Sequence, residues 1–245
     1  MSGSGEAGQA APMRLLVVGD GRMGRAIELL APSRGFVVSG VLGLEANRGG
    51  AGLTPQALAG ADVVVEFTRP EAVLANIRRV AGASGRIVVG TTGWYQHLGE
   101  ARAAIEANGA GLVYGANFSL GVQLFYRMAR EAARLCAGWQ QYEPYIVETH
   151  HRFKRDAPSG TAQELARQVA PALGGRLPPI QSVRAGWVPG THELGFDAEG
   201  ETLLVRHSSR TRQAYAEGAL VAARRLAGKA GFWSFSEILE REEGT

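Results

Sequence analysis

Between Glu148 and Ala162 the chain reads Glu148-Thr149-His150-His151-Arg152-Phe153-Lys154-Arg155-Asp156-Ala157-Pro158-Ser159-Gly160-Thr161-Ala162. Two imidazoles, an ammonium group and two guanidinium groups fall within the six residues His150 to Arg155. A Pro-Ser-Gly-Thr turn follows, and then a helical pattern from Gln163 to Val169. Helix N-termini present backbone N–H groups without intrahelical acceptors, and these favour anions. A cationic loop feeding such a terminus suits a small molecule that carries carboxylates. The bland alternative is a surface basic loop without chemistry; the extended segment before it and the Ser-Gly-Thr helix start after it argue for a site. Zinc is not expected, because no cysteine and no spaced Glu/His partner completes a ligand set.

A second motif, Gly19-Asp20-Gly21-Arg22-Met23-Gly24, fits G-x-G-x-x-G directly after a strand pattern and at the start of a helical one. Its glycines permit a tight turn, close approach to a pyrophosphate and close helix–strand packing, which points to dinucleotide binding. An acidic residue about 20 residues further on usually holds the ribose. Glu45 is near that spacing and Arg48 could meet a 2′-phosphate, but a solvated loop explains both equally, so NADH and NADPH both stay open. The turns Phe67-Thr68-Arg69-Pro70 and Gly90-Thr91-Thr92-Gly93 offer hydroxyls and free N–H groups where strand ends should deliver them.

The elements that must position these residues change character partway along the chain. Strand patterns at Leu15–Val18, Phe36–Leu42, Ala61–Phe67, Arg86–Val89 and Leu112–Tyr114 alternate with helical ones at Met23–Leu30, Glu71–Ala81 and Tyr95–Ala107. Pro70 takes the favoured first position of a helix. Such alternation predicts an α/β fold with a parallel, Rossmann-type sheet. After Asn117 come a long amphipathic helix, Phe118 to Ala137, an extended segment, Tyr142 to Thr149, and a helix from Ser159 to Leu173. Ile180–Val188, Thr191–Asp197 and Glu201–His207 read as antiparallel strands of a mixed α+β part. Thr211–Ala227 is expected to be helical, and Phe232–Glu240 a last short helix. The domain division expected is 1–12 tail, 13–118 with 212–245 dinucleotide-binding, and 119–211 as the α+β domain.

The chain has 245 residues, 45% hydrophobic and 20% charged, with a net charge of +3 and one cysteine, Cys136. That suits an ordinary globular protein with an ample core. The charge is too small to imply nucleic acid or a membrane surface, and no apolar run approaches the roughly 20 residues of a membrane span. The Gly, Ser and Ala-rich start reads as a disordered tail rather than a signal peptide, so a cytoplasmic location is expected. Cys136 continues the stripe Phe118, Val122, Phe125, Ala129, Ala132 and reads as core. Tyr114, Trp94 and Trp187 read as packing residues, His97 and His207 as structural, Arg152 and Arg155 as solvated or subunit-facing. His192 either approaches the site from a neighbouring strand or makes a structural hydrogen bond.

Taken together, Gly21-Arg22-Met23-Gly24, Glu66-Phe67-Thr68-Arg69-Pro70-Glu71, Gly90-Thr91-Thr92-Gly93, Ala116-Asn117-Phe118-Ser119 and the His150–Thr161 block resemble the 4-hydroxy-tetrahydrodipicolinate (dihydrodipicolinate) reductase family. The likeness runs from about Arg14 to Leu239 and includes Arg184-Ala185-Gly186, Gly190-Thr191-His192 and Ser208-Ser209. It implies NADH- or NADPH-dependent reduction of a cyclic imine dicarboxylate in diaminopimelate and lysine biosynthesis, commonly by a homotetramer, with 119–211 as the substrate-binding and oligomerisation domain. It assigns the dinucleotide to Gly19, Asp20, Gly21, Arg22, Met23, Thr68, Gly90, Thr91, Thr92, Ala116, Asn117 and Phe118. It makes His150 and Lys154 the proton-handling residues, and gives the substrate carboxylates to His151, Ser159, Gly160 and Thr161; no metal is expected. Here the glycine loop is one residue shorter than the usual pattern, the acidic ribose position aligns near Gly43 or Leu44, and the stretch between Leu173 and Ile180 is short. An oxidoreductase of another small amino or imino acid, or a non-catalytic dinucleotide-sensing subunit, remains an alternative at this point.

Overall fold

The computed structural model describes residues 11–211 and 213–241, so the expected tail lies outside the described residues apart from its last two. In chain order the elements are β1 (Met13–Val18), α1 (Arg22–Leu30), β2 (Phe36–Leu42), α2 (Pro55–Ala59), β3 (Val63–Glu66), α3 (Pro70–Gly82), β4 (Arg86–Val89), α4 (Leu98–Ala107) and β5 (Gly111–Tyr114). They continue as α5 (Leu120–Cys136), β6 (Glu143–His150), α6 (Gly160–Val169), β7 (Ile180–Arg184), β8 (Thr191–Ala198), β9 (Glu201–Ser208), α7 (Gln213–Leu226), β10 (Gly231–Ser234) and α8 (Phe235–Glu240). The chain divides into two compact units, one running up to Gly115 and resuming at Ala219, the other from Ala116 to Gly218.

The first unit is a six-stranded parallel sheet in the order β10-β5-β4-β3-β1-β2. Its central strands are short, continuous apolar runs, as a sheet covered on both faces requires. Leu15, Val17, Val18, Val63, Val65, Ile87, Val88 and Val89 are all at most 1% exposed. Pro70 opens α3 as expected, and Thr54 caps α2 by accepting the N–H of Ala57. Two expectations need correcting. Gly231–Ser234 is a strand, not helix: four residues are too few to show a period, and their pairing with β5 decides the outcome. Tyr95–His97 is a 3-10 turn before α4 rather than its first turn.

The second unit is a four-stranded sheet, order β7-β6-β8-β9, packed against α5 and α6. Alternation along β6 sends Pro144, Ile146, Glu148 and His150 to the buried face, while Tyr145, Val147 and Thr149 are half-exposed on the other. Phe125, Ala129, Ala133 and Cys136 of α5 join Ile146, Leu165, Val169, Leu194 and Phe196 in its core, so the cysteine is a packing residue. Ser119 and Ser159 cap α5 and α6, accepting the N–H groups of Val122 and Ala162. The β8 and β9 strands are antiparallel as expected, but β7 runs parallel to β6, entering after α6 as a crossover rather than a hairpin.

Candidate functional site

His150 is the last residue of β6, and only 8% of it is exposed. Two residues earlier on the same face, the fully buried Glu148 carboxylate hydrogen-bonds its Nδ1. Arg184, the last residue of β7 and the register partner of His150, clamps the same carboxylate: Nη2 lies 2.6 Å from Oε1 and Nη1 3.0 Å from Oε2. The backbone N–H of Ser159 adds a fourth donor at 3.3 Å. Burial by itself would push the Glu148 carboxyl up, but hydrogen bonds from Arg184, Ser182 and His150 outweigh it and bring it down to about 2. Burial pushes His150 below the usual imidazole range, helped by Lys154 and Arg184, while Glu148 opposes the fall.

His192 stands opposite Glu148 in the β6–β8 register, and its ring meets that of His150 edge-on with centroids 5.0 Å apart. Both possibilities raised for it hold together, because its Nε2 is also 3.1 Å from Ser159 Oγ. Burial, then the neighbouring His150, brings it down to about 4, so it is neutral near pH 7. Lys154 follows in the loop with Nζ 2.8 and 2.9 Å from the two carboxylate oxygens of Asp156. Arg184 also donates to the Asp156 carbonyl at 2.6 Å, which ties the loop back to β7.

The strand ends at His150, so His151 leaves its alternation: the His151 carbonyl accepts the Lys154 N–H, and its ring neighbours that of Phe153 at 6.2 Å. Its Nδ1 is buried without a hydrogen-bond partner among the described residues. Gly160 begins α6, and Thr161 Oγ1 accepts from Asn117 Nδ2 at 3.3 Å. Arg152 lies over the rings of Phe153 and Trp187, at 4.9 and 5.6 Å. Trp187, expected as packing, is 76% exposed; its ring partner Phe153 is itself on the surface. Arg155 is exposed. His97 pairs with Glu100 at 2.8 Å, and His207 lies beside the ring of Phe125.

Neither Glu148 nor Arg184 is among the site residues expected from the sequence. The i, i+2 spacing of Glu148 and His150 on a strand is a usable signal for the first, whereas Arg184 reaches the site only through the parallel pairing of β7. Donor atoms of Glu148, His150 and His192 lie within 4.8 Å of one another, a Glu/His grouping that residue order alone does not show. Both Glu148 oxygens already hold the Arg184 guanidinium, which supplies the positive charge a metal would bring.

In the first unit the sequence-predicted dinucleotide residues lie at the carboxyl ends of β1, β3 and β4. Backbone bonds step across those ends: Gly19 N–H to the Leu42 carbonyl, Phe67 N–H to Val18, Gly90 N–H to Glu66. β1 lies between β2 and β3, the position where the strand order reverses and open α/β sheets bind ligands. Gly19 has φ +109°, and a Cβ on Gly24 would overlap its carbonyl, so α1 packs on the loop only with glycine at both places. Gly21 caps α1 without a side-chain acceptor, no acidic residue occupies the first turn, and a Cβ there would meet nothing within 4 Å. First-turn N–H groups that no side chain caps fit a pyrophosphate.

The rim is held by buried polar groups. Thr68 N–H donates to Thr91 Oγ1 at 2.7 Å, and its hydroxyl donates to Glu66, which is fully buried. Burial raises the Glu66 carboxyl against the hydrogen bonds from Thr68, Thr91 and Asn76. Trp94, fully buried, donates from its indole to the Thr91 carbonyl at 2.9 Å, and Tyr114 packs edge-on against it. Thr92 is exposed beside them. Glu45 and Arg48 pair with each other at 3.1 Å on the surface. Of the remaining dinucleotide residues, Ala116, Asn117 and Phe118 begin the second unit; Asn117 caps the turn by accepting the Ser119 N–H at 2.9 Å, and Phe118 is buried.

The family description "Dihydrodipicolinate reductase, N-terminus" matches residues 13–118, and "Dihydrodipicolinate reductase, C-terminus" matches 121–239. The 4-hydroxy-tetrahydrodipicolinate reductase of Cupriavidus necator is 36% identical, covering 93% of this chain and 99% of its own. That of Christiangramia forsetii is 32% identical over 93% and 98%. Among solved structures, dipicolinate-bound dihydrodipicolinate reductase from Paenisporosarcina sp. TG-14 superposes with a TM-score of 0.71 at 23% identity, covering 93% of this chain and 99% of that one.

Proposed function

The chain belongs to the dihydrodipicolinate reductase family, and from that premise we propose which residues carry its reaction. It is an NAD(P)H-dependent oxidoreductase that reduces 4-hydroxy-tetrahydrodipicolinate in diaminopimelate and lysine biosynthesis. Its substrate is a small dicarboxylate.

The substrate's 4-hydroxyl leaves as water to give a conjugated cyclic imine, and reduction then adds a hydride, which the nicotinamide would supply when bound, at one ring carbon and a proton at its neighbour. In this reading His150 donates the proton from Nε2, since Nδ1 is held by Glu148. Lys154 binds the electron-rich ring and its carboxylate and assists the proton transfer. His151, Ser159 and the N–H groups of Gly160 and Thr161 at the start of α6 receive the substrate carboxylates. Gly19, Asp20, Gly21, Arg22 and Met23 hold the pyrophosphate and adenosine, with Thr68, Gly90, Thr91, Thr92 and Ala116, Asn117 and Phe118 on the nicotinamide side. The observation that carries this reading is the buried His150–Glu148–Arg184 cluster directly beside a cationic loop and a serine-capped helix start.

A homotetramer fits the face of the second sheet turned away from α5 and α6, where Tyr145, Val147, Val183 and Leu204 stand, the last two 43% and 50% exposed. Sedimentation tests that reading, and a monomer would end it. A cytoplasmic location is in keeping with such a pathway; among the described residues no helix is long and apolar enough to cross a membrane.

The direct experiment follows oxidation of NADH and of NADPH, with substrate formed in situ from pyruvate and aspartate semialdehyde by the upstream synthase. His150→Gln is expected to lower kcat by about 10²–10⁴-fold while sparing cofactor binding. Lys154→Ala is expected to lower kcat and raise KM together. Wild-type turnover in either variant removes that residue from the chemistry.

A further inference from the structure

We propose that Glu148 is the positioning residue of the proton donor: clamped by Arg184, it holds the His150 imidazole with Nδ1–H toward the core and leaves Nε2 to serve the substrate. The inference rests on the reading of His150 as donor and adds what keeps it competent.

An ionised carboxylate only accepts hydrogen bonds, so an imidazole nitrogen facing it must carry hydrogen. Glu148 is fully buried and receives Arg184 through two N–H groups and Ser159 through a third. Those donors keep it charged in a place where a lone carboxyl would take up a proton. With Nδ1 so engaged, the neutral ring carries no hydrogen on Nε2, and protonation of the ring occurs there. Nε2 makes no hydrogen bond among the described residues and faces Gly190, where no side chain intrudes.

The charge balance around His150 gives Glu148 its second role. Arg184 and Lys154 stand near the ring and both disfavour its protonated form, as does burial. His192, edge-on at 5.0 Å, is neutral near pH 7, and Asp156 is engaged with Lys154. Glu148 is therefore the one acidic group in hydrogen-bond contact with the imidazole among the described residues, and it sustains the proton that the reaction consumes. Ordering is its other contribution: the ring lies at the end of a strand, beside a loop, and the carboxylate anchors it to the sheet interior.

The test is Glu148→Gln, which keeps the shape and removes the charge. The His150 imidazole is titrated by NMR in the cofactor-free enzyme, and kcat is measured against pH. A donor must be protonated, so the rate falls as pH rises through the His150 pKa. In Glu148→Gln both the NMR titration and that limb are expected to move down by about one pH unit or more. Where the single variant fails to fold, Glu148→Gln with Arg184→Met removes both charges of the buried pair, a replacement proteins often tolerate. It is expected to move both readouts in the same direction. A folded variant with the His150 titration unmoved overturns the role of Glu148 and leaves His150 as donor. A titration that moves while the kcat limb stays in place overturns His150 as donor, and the positioning role with it.

Discussion

Gly190 stands directly against the imidazole of His150: a Cβ at residue 190 would lie 3.2 Å from both Nε2 and Cδ2. Gly190 also has φ +136°, a backbone conformation that side-chain-bearing residues rarely adopt. Gly190→Ala is therefore expected to displace the ring and strain the chain at once. The expected result is a loss of kcat of about tenfold to a hundredfold, as for a reacting group moved by a fraction of an ångström. Dissociation constants for NADH, measured by fluorescence, should stay within about twofold of wild type; an unchanged kcat would show that the ring has room to spare.

The Asn117–Thr161 hydrogen bond joins a residue assigned to the cofactor to one assigned to the substrate. Removing it with Asn117→Ala frees the Thr161 hydroxyl and loosens the turn before α5. A neutral hydrogen bond contributes about 0.5–1.5 kcal/mol, so KM for the substrate should rise roughly twofold to tenfold. Steady-state kinetics with the cofactor saturating would register this, and an unaltered KM would count Asn117 out.

Acid should weaken the fold through His192. Its ordinary value near 6.5 is brought down to about 4 in the folded chain, so unfolding binds a proton at intermediate pH. The stability tied to its neutral form is complete above about pH 6.5 and is lost as pH falls towards 4, on the order of 3 kcal/mol in total. His150 and His207, lowered as well, act in the same sense. Urea unfolding between pH 7 and 4.5 should thus show a smaller decline in His192→Gln than in wild type. Parallel declines would assign the effect to other groups.

Cofactor preference should respond to Asp20 more than to Glu45 or Arg48. The latter two neutralise each other on the surface, 80% and 78% exposed, whereas an Asp20 carboxylate oxygen lies 2.7 Å from where a Cβ on Gly43 would stand. Gly43 is the place at the end of β2 where a ribose-binding acid is usual, so Asp20 brings negative charge there from the glycine loop. Asp20→Asn should raise the ratio of NADPH to NADH affinity several-fold, measured by equilibrium binding without substrate. Glu45→Ala with Arg48→Ala should leave that ratio nearly unchanged; the reverse pattern would return the ribose to the β2–α2 loop.

Much of this molecule is local in origin. The buried runs of β1, β3 and β4, the prolines and serines that start helices, and the glycines at 19, 21 and 24 depend on φ/ψ preferences and periods within a few residues of chain. Those preferences act before any distant contact forms, and for that reason the parallel sheet, the glycine loop and the basic block ahead of α6 are all legible from residue order. Other features depend on partners far along the chain. Gly231–Ser234 is a strand only because β5 offers an edge, and β7 is parallel only because its backbone meets β6 in that direction. The carboxylate of Glu148 stays ionised because that pairing delivers Arg184 from 36 residues away. Hydrogen-bond register and desolvation are properties of the assembled sheet, and they, rather than residue order, turn two histidines and a glutamate into one coupled site.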